Sequence, residues 1–270
     1  MTPPFGLLLF STDTSFIHQA VAAGVDGIVI DWERQGKPER QAGAYTQIGS
    51  DTLEDLIRVR ASTRARLICR INGFGPSTRE ELERAISAGT DEVLLPMVRS
   101  VAEVEQTLDL ARGRCATGIL VETLQALGAL EELARLPLTR VYIGLNDLAI
   151  ERNTPTIFTA VADGTVETVR KAMRAPVGFA GLTLPDRGSP IPCRLLIGEM
   201  ARLQCDFSFL RRSFLRDIRG REPATEIPRL RRAIAEGFQR PAEAVAADRR
   251  ALEEAIQSWP VEAVSRQGSR

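Results

Sequence analysis

Short apolar runs recur along this chain, and a segment with helical spacing follows each of them. The runs at 6–11, 27–33, 66–72, 92–98, 118–122, 177–183 and 206–213, with a sixth in order that ends at Asp147, draw their apolar residues chiefly from Val, Ile and Leu, the last of them from Phe207, Phe209 and Leu210. Runs this short and this continuously apolar suit strands buried on both faces. Strands alternating with helices specify parallel βαβ units, and eight in succession close into a (β/α)8 barrel. A doubly wound open sheet is the lesser alternative. The 270 residues fit one barrel, for which ~250 is typical.

The intervening segments carry their own boundary signals. Helices are expected over 14–23 and 101–112, and from an Asp51 cap to Ser62. Ser77 with Glu80 reads as a capping box. Further helices are expected over 156–172, with Gly164 as a weak point, and over 193–204. A polar loop holding Gly36, Pro38 and Gly43 is long enough to be functional. The barrel domain is expected to span 1–222 and the tail to add helices over 223–262. Val245, Leu252, Ile256 and Trp259 would pack those helices on the barrel or on a neighbouring subunit. Residues 263–270 read as a frayed end.

Strand alternation nominates the site. Val29, Asp31 and Glu33 share one face of their strand, and Ile68, Arg70 and Asn72 share one of theirs. Leu120 goes with Glu122, and Ile143 and Leu145 go with Asp147. Each set turns from apolar to polar at its C-terminal end, where barrels bind ligands. Asp31, Glu33, Arg70, Glu122 and Asp147 should therefore converge on one mouth. Glu122 and Asp147 are either a metal site or an acid/base pair. Two carboxylates completed by water and substrate oxygens suit Mg²⁺, which would stabilise an enolate as a Lewis acid, with Arg70 neutralising charge nearby. A glycosidase pair is also conceivable, but the chain has few aromatic platforms for sugars.

Composition narrows the field. The zero formal net charge argues against nucleic-acid binding. Lys37 and Lys171 are the only lysines, and neither ends a core strand, which argues against imine chemistry. Cys69, Cys115, Cys193 and Cys205 form no CxxC pair and sit in or beside apolar segments, so they read as packing residues. The lone histidine, His18, falls in the first helix. The start lacks a basic signal-peptide region and no run is long enough to span a membrane, so a cytoplasmic protein is expected. Arg211, Arg212, Arg216, Arg219 and Arg221 form a cluster read chiefly as solvated surface, with CoA or phosphate binding as the alternative.

The motifs GVDGIVIDWE (24–33), CRING (69–73), DEVLLPMV (91–98), VET (121–123) and GLNDLA (144–149) resemble those of the HpcH/HpaI aldolase and citrate lyase β-subunit family, in order and spacing, over roughly residues 5–215. The resemblance implies a lyase or aldolase dependent on Mg²⁺ or Mn²⁺. Such an enzyme acts through the enolate of a small keto acid or acyl-CoA. It also implies metal-ligand roles for Glu122 and Asp147, substrate-oxygen contact for Arg70, acidic positions at Asp31 and Glu33, and a homo-oligomer. The sequence departs from that pattern in places. Hydroxy-keto-acid aldolases of the family carry a histidine where this chain has Arg34, and arginine cannot act as a base. Leu120 and Leu145 replace a polar residue and a proline that are common there. The base is left among Glu33, Asp31, a water on the metal, or none. A catalytically altered homologue is the competing expectation.

Overall fold

Each apolar run becomes a strand because both of its faces have apolar partners, one in the helical layer and one inside the barrel. The computed structural model describes residues 5–34 and 51–258. The strands are β1 (Gly6–Phe10), β2 (Gly27–Asp31), β3 (Arg66–Arg70), β4 (Glu92–Leu95), β5 (Ala116–Val121), β6 (Val141–Ile143), β7 (Val177–Leu182) and β8 (Phe207–Leu210). They pair in parallel and in chain order, and β8 pairs with β1 to close the ring. The expected (β/α)8 barrel is the observed fold.

The helices follow in order: α1 (Thr14–Ala22), α2 (Leu53–Ser62), α3 (Thr78–Ser87), α4 (Val101–Ala111), α5 (Leu124–Gly128), α6 (Leu130–Leu133), α7 (Leu145–Arg152), α8 (Thr159–Ala162), α9 (Thr165–Ala172), α10 (Cys193–Arg202), α11 (Arg212–Asp217), α12 (Pro223–Phe238) and α13 (Ala242–Gln257). The larger hydrophobic cluster lies between strands and helices. Inside the ring Leu8, Phe10, Val29, Ile68, Leu94, Leu120, Tyr142, Phe207 and Phe209 form a second one. Tyr142 stacks on Phe209 at 3.9 Å between ring centres, and Phe10 meets Phe209 edge-on at 5.0 Å. Aromatic packing on this scale fills the interior. β7 makes room for it: a Cβ on Gly178 would meet the Phe207 ring at 2.9 Å. At the N-terminal end of the barrel, fully buried Glu92 accepts from Arg140 Nε at 2.6 Å, Arg66 Nε at 3.0 Å and Thr139 Oγ1 at 2.8 Å. That network plugs the end opposite the strand C-termini.

The last two helices dock on this same barrel, against α10. On α12, Arg231 bonds the backbone oxygens of Gly24 and Phe5 and the Asp26 carboxylate. On α13, Arg249 pairs with buried Glu199 at 2.6 Å and donates to the Val161 and Ala162 oxygens.

Several local expectations change. Thr52, not Asp51, caps α2, in a capping box with Asp55. The side chain of Asp51 is thereby left to accept the Asp31 N–H at 2.8 Å. Ser77 precedes α3 with helical backbone and makes no capping bond; its hydroxyl goes to Glu81 at 2.8 Å instead. The expected helix over 156–172 is broken into α8 and α9 at Gly164, whose φ of +84° a side chain would resist. All four cysteines are unpaired. No helix among the described residues is long and apolar enough to cross a membrane. The loop with Gly36, Pro38 and Gly43, the residues Lys37 and Trp259, and the 263–270 tail lie outside the described residues.

Candidate active site

β2 delivers Asp31 at its last position, and Glu33 follows two residues on, where the alternation puts both on the inner face. The segment is pinned from behind. The Asp31 N–H donates to Asp51, and the Trp32 N–H donates to the Arg70 oxygen at 2.8 Å while its indole N–H reaches the Thr52 oxygen at 3.1 Å. On the neighbouring strand β3 ends in Arg70. Its guanidinium forks onto Asp31, Nε to Oδ1 at 2.8 Å and Nη2 to Oδ2 at 2.5 Å. Nη1 takes Glu33 Oε2 at 2.9 Å. All three side chains are buried. Burial opposes the charge on Arg70, but Asp31 and Glu33 outweigh it and raise the guanidinium above its ordinary value. Two charge-assisted partners fix the cation in orientation as well as protonation.

Glu122 follows β5, in register with inward Leu120, and Oε1 accepts the Met97 N–H at 2.9 Å. Met97 holds a φ of +54°, a left-handed backbone that costs a non-glycine residue on the order of 1–3 kcal/mol. The strain aims a backbone donor at the carboxylate. Opposite, Gly144 leaves space that only glycine can leave. A Cβ there would overlap Glu122 Oε2 and come within 2.7 Å of Glu122 Cβ. Burial, then the charges of Asp147 and Glu33, push the Glu122 carboxyl up to about 8, against the pull of Arg70 and the Met97 N–H.

Asp147 arrives by another route than the alternation implied. β6 ends at Ile143, the chain turns at Gly144, and Asp147 is buried in the first turn of α7. The inward residue of β6 is Tyr142; Ile143 and Leu145 face the helical layer. A three-residue strand offers too little sequence for a period-two reading, and the apolar Ile143 and Leu145 conceal the turn between them. The five nominated residues nonetheless occupy one end of the barrel. Asp31, Glu33 and Arg70 are in direct contact, and Glu122 lies within electrostatic reach of Glu33, Arg70 and Asp147.

Arg211 also belongs to this end. It follows β8, its guanidinium sits 4.3 Å from the centre of the Phe10 ring, and Nη2 is 3.5 Å from Asp31 Oδ2. Arg70 lies 5.6 Å from the same ring centre. Reading the arginine cluster as surface thus fails for this member. The signal was present: Phe207, Phe209 and Arg211 alternate, and both phenylalanines point inward. Of the others, Arg216 pairs with Asp217 and Arg221 with Asp186 and Glu226. Arg34 turns its guanidinium to the Asp51 backbone oxygen at 2.7 Å, and its N–H donates to Asn72 Oδ1 at 2.8 Å. His18 is exposed on α1 against the Ser62 oxygen.

The mouth therefore offers hard oxygen donors around a fixed guanidinium, a set suited to oxyanions and hard cations. Among the described residues no group of three or more His, Cys, Asp or Glu is placed to hold a metal, so any ion would take part of its shell from water or substrate.

Comparison with solved structures places the fold among known barrels. RipC from Yersinia pestis matches at 18% identity with a TM-score of 0.55, covering 91% of this chain and 100% of that one. The citrate synthase SbnG matches at 13% identity and a TM-score of 0.52, over 77% and 86%. The 3-hexulose-6-phosphate synthase of Salmonella typhimurium matches at 14% identity and 0.58, over 86% and 99%. At these identities the likeness is one of fold. No curated protein sequence matches. The profile of the HpcH/HpaI aldolase/citrate lyase family does, over residues 5–157. That span holds β1 to β6 and, of the mouth, Asp31, Glu33, Arg70, Glu122 and Asp147, and the chain belongs to the HpcH/HpaI aldolase/citrate lyase family.

Proposed function

We propose that this protein makes or breaks a carbon–carbon bond next to the enolate of a pyruvate-like 2-keto acid or an acyl-CoA. In this reading Glu122 and Asp147 hold a divalent ion, Mg²⁺ or Mn²⁺, and Arg70 binds substrate oxygens. The observation that carries it is the state of Glu122. Its carboxyl is buried, and the negative charges of Asp147 and Glu33 raise it further. A buried cluster of carboxylates with a deficit of positive charge is what a hard cation would relieve, so the donor set fits. When bound, the ion would supply Lewis-acid stabilisation for enolate charge.

The chain's own residues do the rest. Asp31 and Glu33 hold Arg70 rigid, so its guanidinium meets an anionic oxygen without reorganising. The Met97 N–H orients Glu122. Tyr142, stacked on Phe209, and Phe10 form an apolar floor that keeps water from beneath the site. Family membership favours this lyase reading over a glycosidase pair.

A second reading has its own observation. Arg34 stands where family aldolases carry histidine, and both carboxylates considered in place of that base, Asp31 and Glu33, are paired with Arg70. A binding protein, or a barrel recruited to another reaction, would keep the ion and the keto acid without making or breaking the carbon–carbon bond. Calorimetric titration of Mg²⁺ into wild type and Glu122→Ala tests the shared part. Saturable binding lost in the variant is expected; unchanged binding in Glu122→Ala removes the site.

A further inference from the structure

Arg211 has more hydrogen-bonding capacity than the fold uses. A guanidinium carries five N–H donors, yet among the described residues none of Arg211's makes a hydrogen bond. Its nearest carboxylate oxygen, Asp31 Oδ2, stands at 3.5 Å, and Arg70 already holds that oxygen at 2.5 Å. What positions Arg211 is the Phe10 ring beneath it, a cation–π contact that leaves the edge of the fork free. The side chain is 25% exposed, so a ligand entering the mouth can reach it. Burial and the neighbouring charge of Arg70 both work against its positive charge. Two guanidiniums thus share one aromatic ring and one carboxylate. Each nitrogen of Arg70 is paired with Asp31 or Glu33, which leaves its second Nη hydrogens for substrate; no nitrogen of Arg211 makes such a bond.

A residue kept only for structure would be expected to use its donors within the protein, as Arg140, Arg231 and Arg249 do. We propose that Arg211 binds a second carboxylate of the substrate, so that the site selects a dicarboxylic 2-keto acid over a monocarboxylic one. The inference rests on the keto-acid reading above and narrows its substrate class. A carboxylate is favoured over a phosphoryl group because one planar fork matches one carboxylate in bidentate fashion. The rest of the arginine cluster offers little more, since Arg216 and Arg221 are engaged with acidic neighbours.

The test is calorimetric binding to wild type, Arg211→Gln and Arg211→Lys, with exposed Arg219→Gln as a control. With Mg²⁺ present, the ligands are pyruvate, oxaloacetate and phosphonopyruvate, which share the keto-acid head and differ at the far end. Thermal melting confirms that each variant is folded. Wild type should bind oxaloacetate at least tenfold more tightly than pyruvate, the range of a charge-assisted hydrogen bond. Arg211→Gln should abolish that advantage and leave pyruvate within about twofold; Arg211→Lys should keep only part of it. Equal weakening of both ligands in Arg211→Gln, or no effect on either, overturns the proposal. Preference for phosphonopyruvate that depends on Arg211 overturns the carboxylate assignment. If no keto acid binds wild type, the functional reading fails, and malonate titrated into metal-free protein decides on Arg211 separately. Saturable malonate binding lost in Arg211→Gln sustains the anion subsite, and no binding removes it.

Discussion

Replacing Glu122 by glutamine should change how stability depends on pH before any ligand is added. The folded protein holds the Glu122 proton up to about pH 8, whereas an unfolded chain gives it up near the ordinary 4.5. Between those values unfolding releases a proton, so stability falls as pH rises through the window; below it both states are protonated and the group contributes nothing. At about 1.36 kcal/mol per pH unit, the loss at pH 8 is on the order of a few kcal/mol. Glutamine is neutral at every pH, and its oxygen can still accept the Met97 N–H. Metal-free wild type should therefore lose stability from pH 5 to 8.5, while Glu122→Gln holds level across that range. For a chain of this size ~2–4 °C of melting temperature accompanies each kcal/mol, which puts the difference at pH 8 at roughly 5–15 °C in favour of the variant. Melting in EDTA at half-unit pH steps reads this directly, and Mg²⁺ should restore wild type at alkaline pH without helping the variant. Parallel pH profiles for the two proteins would refute the reasoning.

Two further substitutions separate the mouth from the scaffold. Gly144→Ala drives a methyl into Glu122; overpacking of this kind costs ~1–3 kcal/mol, and titration should show weakened Mg²⁺ binding alongside a lower melting temperature. Glu92→Ala removes the acceptor of Arg140 and Arg66 at the opposite end of the barrel. A broken buried pair costs ~3–5 kcal/mol, so denaturant melts should show a large loss while Mg²⁺ affinity of the folded protein stays unchanged.

The barrel was legible in the sequence because strands buried on both faces must be continuously apolar, and eight such runs separated by helices leave few topologies. The pairing of Asp31 and Glu33 with Arg70 was half legible. Alternation put them on inward faces, but only the register of β2 with β3, with Asp31 opposite Arg70, turns shared faces into ion pairs. Asp147 reached the right end for the wrong reason, since the chain leaves the strand at Gly144 and a helix carries the carboxylate in. Arg211 was hidden by composition. In a chain with so many arginines a cluster reads as solvated surface, and only the inward pair Phe207 and Phe209 before it marks one member as interior. The capping expectation at Asp51 failed because Thr52 and Asp55 satisfy the helix start between themselves.

The central claim is that this mouth forms an enolate, and exchange of pyruvate methyl hydrogens for deuterium, followed by proton NMR in D₂O, tests it most directly. With Mg²⁺ and wild-type protein, exchange should run well above the buffer rate. It should fall to that rate in EDTA, in Glu122→Ala and in Arg70→Met. Pyruvate that binds with Mg²⁺ yet exchanges no faster than in buffer would contradict the claim and leave the protein as a binding barrel.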